Sequence, residues 1–236
     1  MHRERHDRHS PALGRSMPML RYGRSGRPVL AFPTSMGHAS QNEDFGLIGG
    51  LTDLIDGGAI QVFSVDAVDE ESWYNRGAHP ADRVRRHDAY DRHLAGEVVP
   101  FVREQTGRAD IVAYGASFGG YHAANFALRH PEMVSRMIAL SGVFDIHRWL
   151  DGYWDELCYF HCPSAYVANL PPEWVERIRP MGLVIATGEQ DHLAGETRLF
   201  SDLLRSKGLH VNSELWPGVF GHDWRFWIDN LRRFLP

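Results

Sequence analysis

A serine between two glycines is the first residue in this sequence that could do chemistry. Ser117 lies in Gly115-Ala116-Ser117-Phe118-Gly119, which has the pattern G-x-S-x-G. A serine hydroxyl is a weak nucleophile unless a strained turn presents it, and glycines on both sides relieve the crowding of that turn. We therefore predict that Ser117 is a nucleophile; the alternative is a serine in a structural turn.

The base that would activate Ser117 should be a histidine further along the chain. For a nucleophile on a strand-turn-helix, the acid and then the histidine follow it in sequence. Seven histidines follow Ser117, and His222 lies in a glycine-bearing loop after a possible strand at 212–216. We predict His222 as the base; the alternative is a surface histidine without a catalytic role.

The acid that orients the histidine should follow a late strand. The apolar run 183–186 leads into Thr187-Gly188-Glu189-Gln190-Asp191, and Asp191 is the predicted acid. Glu189 and Asp145 remain alternatives. His192, next to Asp191, is expected to shape the site rather than to act as a second base.

The negative oxygen of a tetrahedral intermediate needs fixed backbone N–H donors. Phe118, directly after the nucleophile, supplies one donor, and the loop 33–37 after an early strand should supply the other. In that loop Ser35 is the predicted donor, with Met36 next.

The substrate is expected to contact Met36 and Trp224. Trp73 and the aromatic residues of 149–166 are further candidates for an apolar acyl pocket.

These residues must be positioned by the elements around them. Short apolar runs bounded by Gly, Pro or Asp predict strands buried on both faces of a parallel sheet. They lie at 28–32, 60–65, 111–114, 137–140 and 183–186. Between them lie helical patterns, such as the amphipathic stripe of 84–102 that Pro100 should kink. This alternation predicts an α/β fold with a mostly parallel sheet and helices on both faces.

The chain divides into a predicted leader and one predicted domain. Residues 1–16 are rich in Arg and His and lack apolar periodicity, so we expect a flexible leader there and one α/β domain over 17–236. Aromatic residues crowd 145–180, where we expect a small helical cap; the alternative is that they fill core space.

Composition excludes several classes of protein. The chain has 236 residues, of which 43% are hydrophobic and 23% charged, as in globular proteins. A net charge of −5 disfavours nucleic acid as a partner. No apolar run is long enough for a membrane span, and residues 1–9 do not resemble a signal peptide, so a cytoplasmic location is expected.

The only two cysteines, Cys158 and Cys162, are four residues apart. Such a pair in a helix is poorly placed for a disulfide, so we expect reduced thiols. With His161 they suggest zinc, but a structural zinc site needs four ligands and no second pair is evident. No metal site is predicted.

Four stretches resemble a known family. They are Phe32-Pro33-Thr34-Ser35 with Glu43-Asp44-Phe45-Gly46, the turn 115–120, Thr187-Gly188-Glu189-Gln190-Asp191, and Gly221-His222-Asp223-Trp224-Arg225-Phe226-Trp227. At these residues the chain resembles, from about Met17 onward, the putative esterase family of the α/β-hydrolases. That family includes esterase D-like enzymes and the mycolyltransferase antigens. The resemblance implies ester hydrolysis through an acyl-enzyme, without a metal or organic cofactor.

The function predicted from the sequence is therefore hydrolysis of a small-molecule carboxylic ester with a small or medium acyl group, by Ser117, His222 and Asp191. Two alternatives remain open. An acyltransferase would use the same acyl-enzyme, and a binding protein could retain the scaffold without catalysis.

Overall fold

The computed structural model describes residues 1–235, which form eight β-strands and eleven α-helices. The strands are β1 Arg3–Ser10, β2 Arg15–Tyr22, β3 Arg27–Ala31, β4 Ile60–Val65, β5 Ile111–Ala116, β6 Val134–Leu140, β7 Gly182–Gly188 and β8 Val211–Trp216. The helices are α1 Gln41–Asp44, α2 Leu47–Gly50, α3 Thr52–Asp56, α4 Pro80–His93, α5 Val99–Thr106, α6 Phe118–Arg129, α7 Glu156–Phe160, α8 Pro163–Val167, α9 Pro172–Ile178, α10 Ala194–Ser206 and α11 Trp224–Phe234. None of these helices is long and apolar enough to cross a membrane.

The strands form one sheet in the order β1-β2-β4-β3-β5-β6-β7-β8. The six strands β3 to β8 are parallel, whereas β1 pairs antiparallel with β2 and β2 antiparallel with β4. Each apolar run identified in the sequence coincides with one of β3 to β7, apart from Phe32 just beyond β3. The predicted mostly parallel sheet is confirmed.

Side chains of the central strands alternate between two hydrophobic cores. In β5, Ala113 packs into the core that includes residues of α4, α5, α6 and α10. Its neighbours Val112 and Tyr114 pack into the other core, with residues of α2 and α11. Because successive side chains of a strand point to opposite faces, a strand buried on both faces carries a continuous apolar run. Helices therefore cover both faces, as predicted.

The helical pattern of 84–102 is interrupted just before Pro100. Helix α4 passes into a π-helical segment, Leu94–Val98, and α5 starts directly after it with Pro100 in its first turn. Proline has no N–H to donate and its ring crowds the preceding turn. A local change of helical type accommodates both effects.

The expected flexible leader over 1–16 is contradicted by the structure, because residues 3–10 form strand β1. Strand β1 pairs with β2 along its whole length, from Arg3 opposite Tyr22 to Ser10 opposite Arg15. Ser10 is buried, and its hydroxyl donates to Glu97 at 3.1 Å. An edge strand can be ordered by backbone hydrogen bonds while its side chains remain largely exposed. Its sequence therefore lacks the apolar signal on which the expectation relied.

The aromatic-rich segment between β6 and β7 packs against two different parts of the fold. A 3-10 turn, His147–Trp149, brings Trp149 against Phe118, with ring centroids 4.8 Å apart. Tyr166 and Val167 of α8 instead belong to the core beside α6. The segment thus borders the end of β5 and also fills core space.

We expect the N-terminus to resist limited trypsin digestion. Arg3, Arg5 and Arg8 would be cleaved quickly in a flexible leader, but a paired strand does not enter a protease cleft without local opening. Intact mass measured over a digestion series checks this, with urea-unfolded protein as the cleavable control. Rapid loss of residues 1–8 from the folded chain would contradict the structure of β1.

Candidate active site

The loops that follow four parallel strands meet at one edge of the sheet. Ser117 follows β5, Asp191 follows β7 and His222 follows β8, while Ser35 follows β3. The carboxyl ends of parallel strands lie at the same edge, so residues far apart in sequence become neighbours there. The structure brings the predicted nucleophile, acid and base together at this edge.

The turn at Ser117 is strained and closely packed. Ser117 has φ 54° and ψ −124°, a conformation that few residues other than glycine adopt. A Cβ on Gly115 would lie within 3.0 Å of the Gly119 carbonyl, and one on Gly119 within 3.0 Å of the Pro33 carbonyl. Both glycines of the G-x-S-x-G pattern are therefore required by close backbone approach.

The three predicted polar residues form a continuous chain. His222 Nε2 lies 3.2 Å from the Ser117 hydroxyl oxygen. On the other side of the ring, His222 Nδ1 lies 3.1 Å and 3.2 Å from the two carboxylate oxygens of Asp191. The Asp191 side chain is fully buried, whereas 18% of the His222 side chain is exposed. This arrangement can move a proton from Ser117 to an imidazole that a carboxylate orients.

The surroundings of Asp191 keep it ionised. Burial acting alone would raise the pKa of this carboxyl, but hydrogen bonds outweigh it and lower the pKa well below its ordinary value. The donors include His222, the Thr187 hydroxyl at 2.6 Å and the Leu193 N–H at 2.9 Å. Asp191 therefore carries a fixed negative charge against Nδ1 of the base.

Ser141, which was not predicted from the sequence, holds the loop that carries His222. The Ser141 hydroxyl donates to the Gly221 carbonyl at 2.8 Å and accepts from Trp227 Nε1 at 3.0 Å. Gly221 itself lies so close to Gly188 that a Cβ would approach the Gly188 nitrogen to 2.5 Å. Only the position of Ser141, directly after the run 137–140, hinted at such a role.

Two backbone N–H groups are free to stabilise a negative oxygen. Phe118 begins α6, and its N–H finds no acceptor among residues 1–235. In the loop 33–37, Thr34 N–H donates to Gln41 at 2.7 Å and Met36 N–H donates to Asp69 at 3.0 Å. Ser35 N–H, in contrast, has no acceptor within the described chain. This difference favours Ser35 over Met36 as the second oxyanion donor.

Asp69 and His122 form a buried pair of side chains behind the loop 33–37. Asp69 accepts from Met36 N–H through one oxygen, and its other oxygen lies 2.9 Å from His122 Nε2. Both side chains are almost completely buried. Because Met36 is adjacent to Ser35, this pair fixes the loop that brings Ser35 to the cleft beside Ser117.

A cleft of about 330 Å³ opens beside Ser117. Its lining includes Ser35, Phe118, Tyr74, Trp149 and Leu193. Its volume is at the small end of the range for small-molecule sites, about 300–1,000 Å³. A larger cavity of about 430 Å³ lies between α6 and the segment α7–α9, but it includes none of the three polar residues. The smaller cleft is the candidate substrate site.

Three residues expected at the substrate lie outside this cleft. Met36 turns to a separate surface depression, since its N–H is anchored to Asp69. Trp224 stacks on Phe45 with ring centroids 4.9 Å apart, and Trp73 is fully buried against His87. The expected contacts of Met36 and Trp224 with a substrate stay predictions, and of the two neighbours Trp73 and Tyr74 it is Tyr74 that lines the cleft.

The alternatives for the acid are engaged elsewhere. Glu189 is exposed and accepts from Gly218 N–H at 3.4 Å. Asp145 pairs with His147 Nδ1 at 2.6 Å. His192 lies at the cleft with its ring 4.6 Å from that of His222, and its Nδ1 lies 3.2 Å from an Asp191 carboxylate oxygen.

Two groups of three side chains have the spacing of metal ligands. Asp191, His192 and His222 form one group, which contains the proposed acid and base, and Asp145, His147 and Cys162 form the other. Cys158 and Cys162 are buried free thiols. His161, considered with them as a zinc ligand, contacts Asn125 and Asp88 instead.

Comparison with known proteins gives one family and many structural neighbours. The sequence model of the family described as "Putative esterase" matches residues 44–236. No curated protein sequence matches. The structure is similar to that of a ferulic acid esterase, with 15% identity, a TM-score of 0.78 and coverage of 100% of this chain and 96% of the other.

Two further neighbours have the same kind of likeness. An S-formylglutathione hydrolase from Staphylococcus aureus has 19% identity and a TM-score of 0.69, covering 99% of this chain and 95% of the other. MPT51 from Mycobacterium tuberculosis has 18% identity and a TM-score of 0.70, covering 99% and 96%. At such identities the likeness establishes the fold, which is the expected α/β-hydrolase fold.

We expect Asp69→Ala to lower kcat by up to about 100-fold, the scale of losing one oxyanion donor. Without the carboxylate, Met36 N–H loses its anchor and Ser35 N–H moves away from the nucleophile. The matched variant Asp69→Asn keeps an acceptor for Met36 N–H and should retain more activity. Steady-state kinetics with a chromogenic acetate ester, together with thermal melts of all three proteins, check this. Equal kcat for folded Asp69→Ala and wild type would contradict the role of the loop.

Proposed function

Because this chain belongs to the putative esterase family, as its sequence resemblance implied, we propose that it is a serine hydrolase of carboxylic esters. The observation that carries the proposal is the chain of contacts from Ser117 through His222 to Asp191. Its substrate is a small-molecule ester that enters the cleft beside Ser117. A cofactor has no step in the reaction.

The first half of the reaction acylates Ser117. His222 Nε2 accepts the hydroxyl proton while the Ser117 oxygen bonds to the ester carbonyl carbon. The carbonyl oxygen becomes negative and accepts hydrogen bonds from the N–H groups of Phe118 and Ser35. The tetrahedral intermediate then collapses, the C–O bond to the alcohol breaks, and His222 returns the proton to the departing oxygen.

The second half repeats these steps with water. His222 takes a proton from water, whose oxygen attacks the acyl carbon, and the same two N–H groups stabilise the new oxyanion. Collapse releases the carboxylic acid and returns the proton to Ser117. Asp191 holds the ring in one tautomer throughout and stabilises the imidazolium of each intermediate.

Solvent access favours hydrolysis over acyl transfer. Transfer to another alcohol requires a site that excludes water during deacylation. Here Ser117 and His222 are both partly exposed, so water can reach the acyl-enzyme. A binding protein without catalysis would have no need of a strained serine aligned with a histidine and a buried carboxylate.

We expect a fluorophosphonate to label wild type once and Ser117→Ala not at all. The reagent reacts only with an activated serine, so the natural ester need not be known. Intact mass before and after incubation measures the adduct. His222→Ala, which keeps the nucleophile but removes its base, should label far more slowly. An unlabelled wild type, or an adduct on Ser117→Ala, would contradict the proposed nucleophile.

We expect the acid limb of kcat/KM to reflect a single protonation. The lowered pKa of Asp191 means that its carboxylate stays charged as pH falls, so protonation of Asp191 should not contribute to the acid limb. A plot of log kcat/KM against pH should then fall with a slope of one. Asp191→Asn should lower kcat by about 10⁴-fold, the loss seen when the corresponding aspartate of a serine-protease triad is replaced by asparagine. A slope of two would indicate that Asp191 also titrates.

A further inference from the structure

The cleft beside Ser117 is positively charged in a protein of net negative charge. Its lining includes Arg76 and Arg148, and within residues 1–235 no aspartate or glutamate contributes to that lining. The whole chain carries a formal charge of −5. A cleft with charge opposite to that of the molecule marks a local preference for anions.

One carboxylate is shared by two arginines. Asp151 pairs with Arg76 at 2.9 Å through one oxygen and with the buried Arg83 at 2.7 Å through the other. Arg148 has no carboxylate partner in the described chain. Its charge is therefore unmatched, and Arg148 lines the cleft.

The backbone that carries Arg148 is clamped in place. Arg76 Nη2 donates to the Arg148 carbonyl at 3.0 Å, and Arg83 Nη1 donates to the Trp149 carbonyl at 2.9 Å. The guanidinium carbon of Arg148 stacks over the Trp149 ring, 4.3 Å from its centroid. An arginine supported in this way loses less freedom on binding a ligand than a mobile surface arginine.

Arg148 lines the same cleft as Ser117 and as Phe118 and Ser35, whose N–H groups are the candidate oxyanion donors. Tyr74 lines the same cleft and donates its hydroxyl to Ser35 Oγ at 2.8 Å. Arg148 can thus contact a substrate whose reacting carbonyl lies at Ser117.

We propose that Arg148 binds a carboxylate carried by the ester substrate, so that this enzyme prefers anionic esters to neutral ones. The inference rests on the proposed hydrolase function. A guanidinium presents a planar set of N–H donors that matches a carboxylate in geometry and charge. Neither family membership nor structural likeness identifies this preference.

The test compares matched esters that differ only in one charge. One pair is 4-acetoxybenzoate and its methyl ester, with the carboxylate on the alcohol side. The other is the 4-nitrophenyl half-ester of adipic acid and its methyl ester, with the carboxylate on the acyl side. For each pair the ratio of kcat/KM for the charged ester to that for the neutral ester is measured in wild type and Arg148→Gln. Comparing ratios between proteins cancels the intrinsic reactivity of the esters.

We expect Arg148→Gln to lower this ratio about tenfold for at least one pair, the scale of one charged hydrogen bond. Arg148→Lys should retain part of the preference. The matched control is Arg198→Gln, which removes the same charge from an exposed position of α10 outside the cleft and should leave both ratios unchanged.

The outcomes separate this inference from the proposed function. Ratios that are equal in wild type and Arg148→Gln for both pairs overturn the inference, while hydrolysis of the neutral esters leaves the hydrolase proposal standing. If Arg198→Gln lowers the ratio as much as Arg148→Gln does, the inference is also overturned, because the overall charge of the protein would then be the cause. If wild type hydrolyses none of the four esters and gains no fluorophosphonate adduct, the proposed function itself fails.

Discussion

The active site depends on backbone segments that approach too closely for any side chain to come between them. Gly119 lies against the Pro33 carbonyl, Gly115 against Gly119, and Gly120 against Gly142, where a Cβ would meet the Gly142 Cα at 2.8 Å. These approaches bring the loops after β3, β5 and β6 into contact. They raise Ser117 in a strained conformation and place its oxyanion loop beside Phe118.

Hydrogen bonds of buried polar groups then hold these loops in fixed orientations. Ser141 is fully buried and joins the Gly221 carbonyl to Trp227, while Asp69 joins Met36 N–H to His122. A buried hydrogen bond is expensive to leave unmade, so each of these links resists displacement of the loop that it holds. The proposed base and the proposed oxyanion donor are thus held by residues outside the described lining of the cleft.

The assignment of the fold and the proposal of a reaction rest on different kinds of evidence. Neighbours at 15–19% identity share the fold, and folds of this kind support more than one reaction. The reaction is argued from the alignment of Ser117, His222 and Asp191, and the substrate preference from the charge of Arg148. These local features are properties of this chain's own side chains.

From local chemistry alone, the sequence determined the central strands and predicted the proposed nucleophile and its partners. Apolar runs mark strands buried on both faces, and the pattern around Ser117 together with the chain order of acid and histidine pointed to Asp191 and His222. Strand β1 was not predicted, because backbone pairing orders this edge strand while its side chains carry no apolar signal. Only the tertiary structure decided that Ser141 supports the His222 loop, that Trp224 stacks on Phe45 away from the cleft, and that Arg148 lines the same cleft as Ser117. Those relations join residues distant in sequence, and the packing of separate loops at one edge of the sheet sets them.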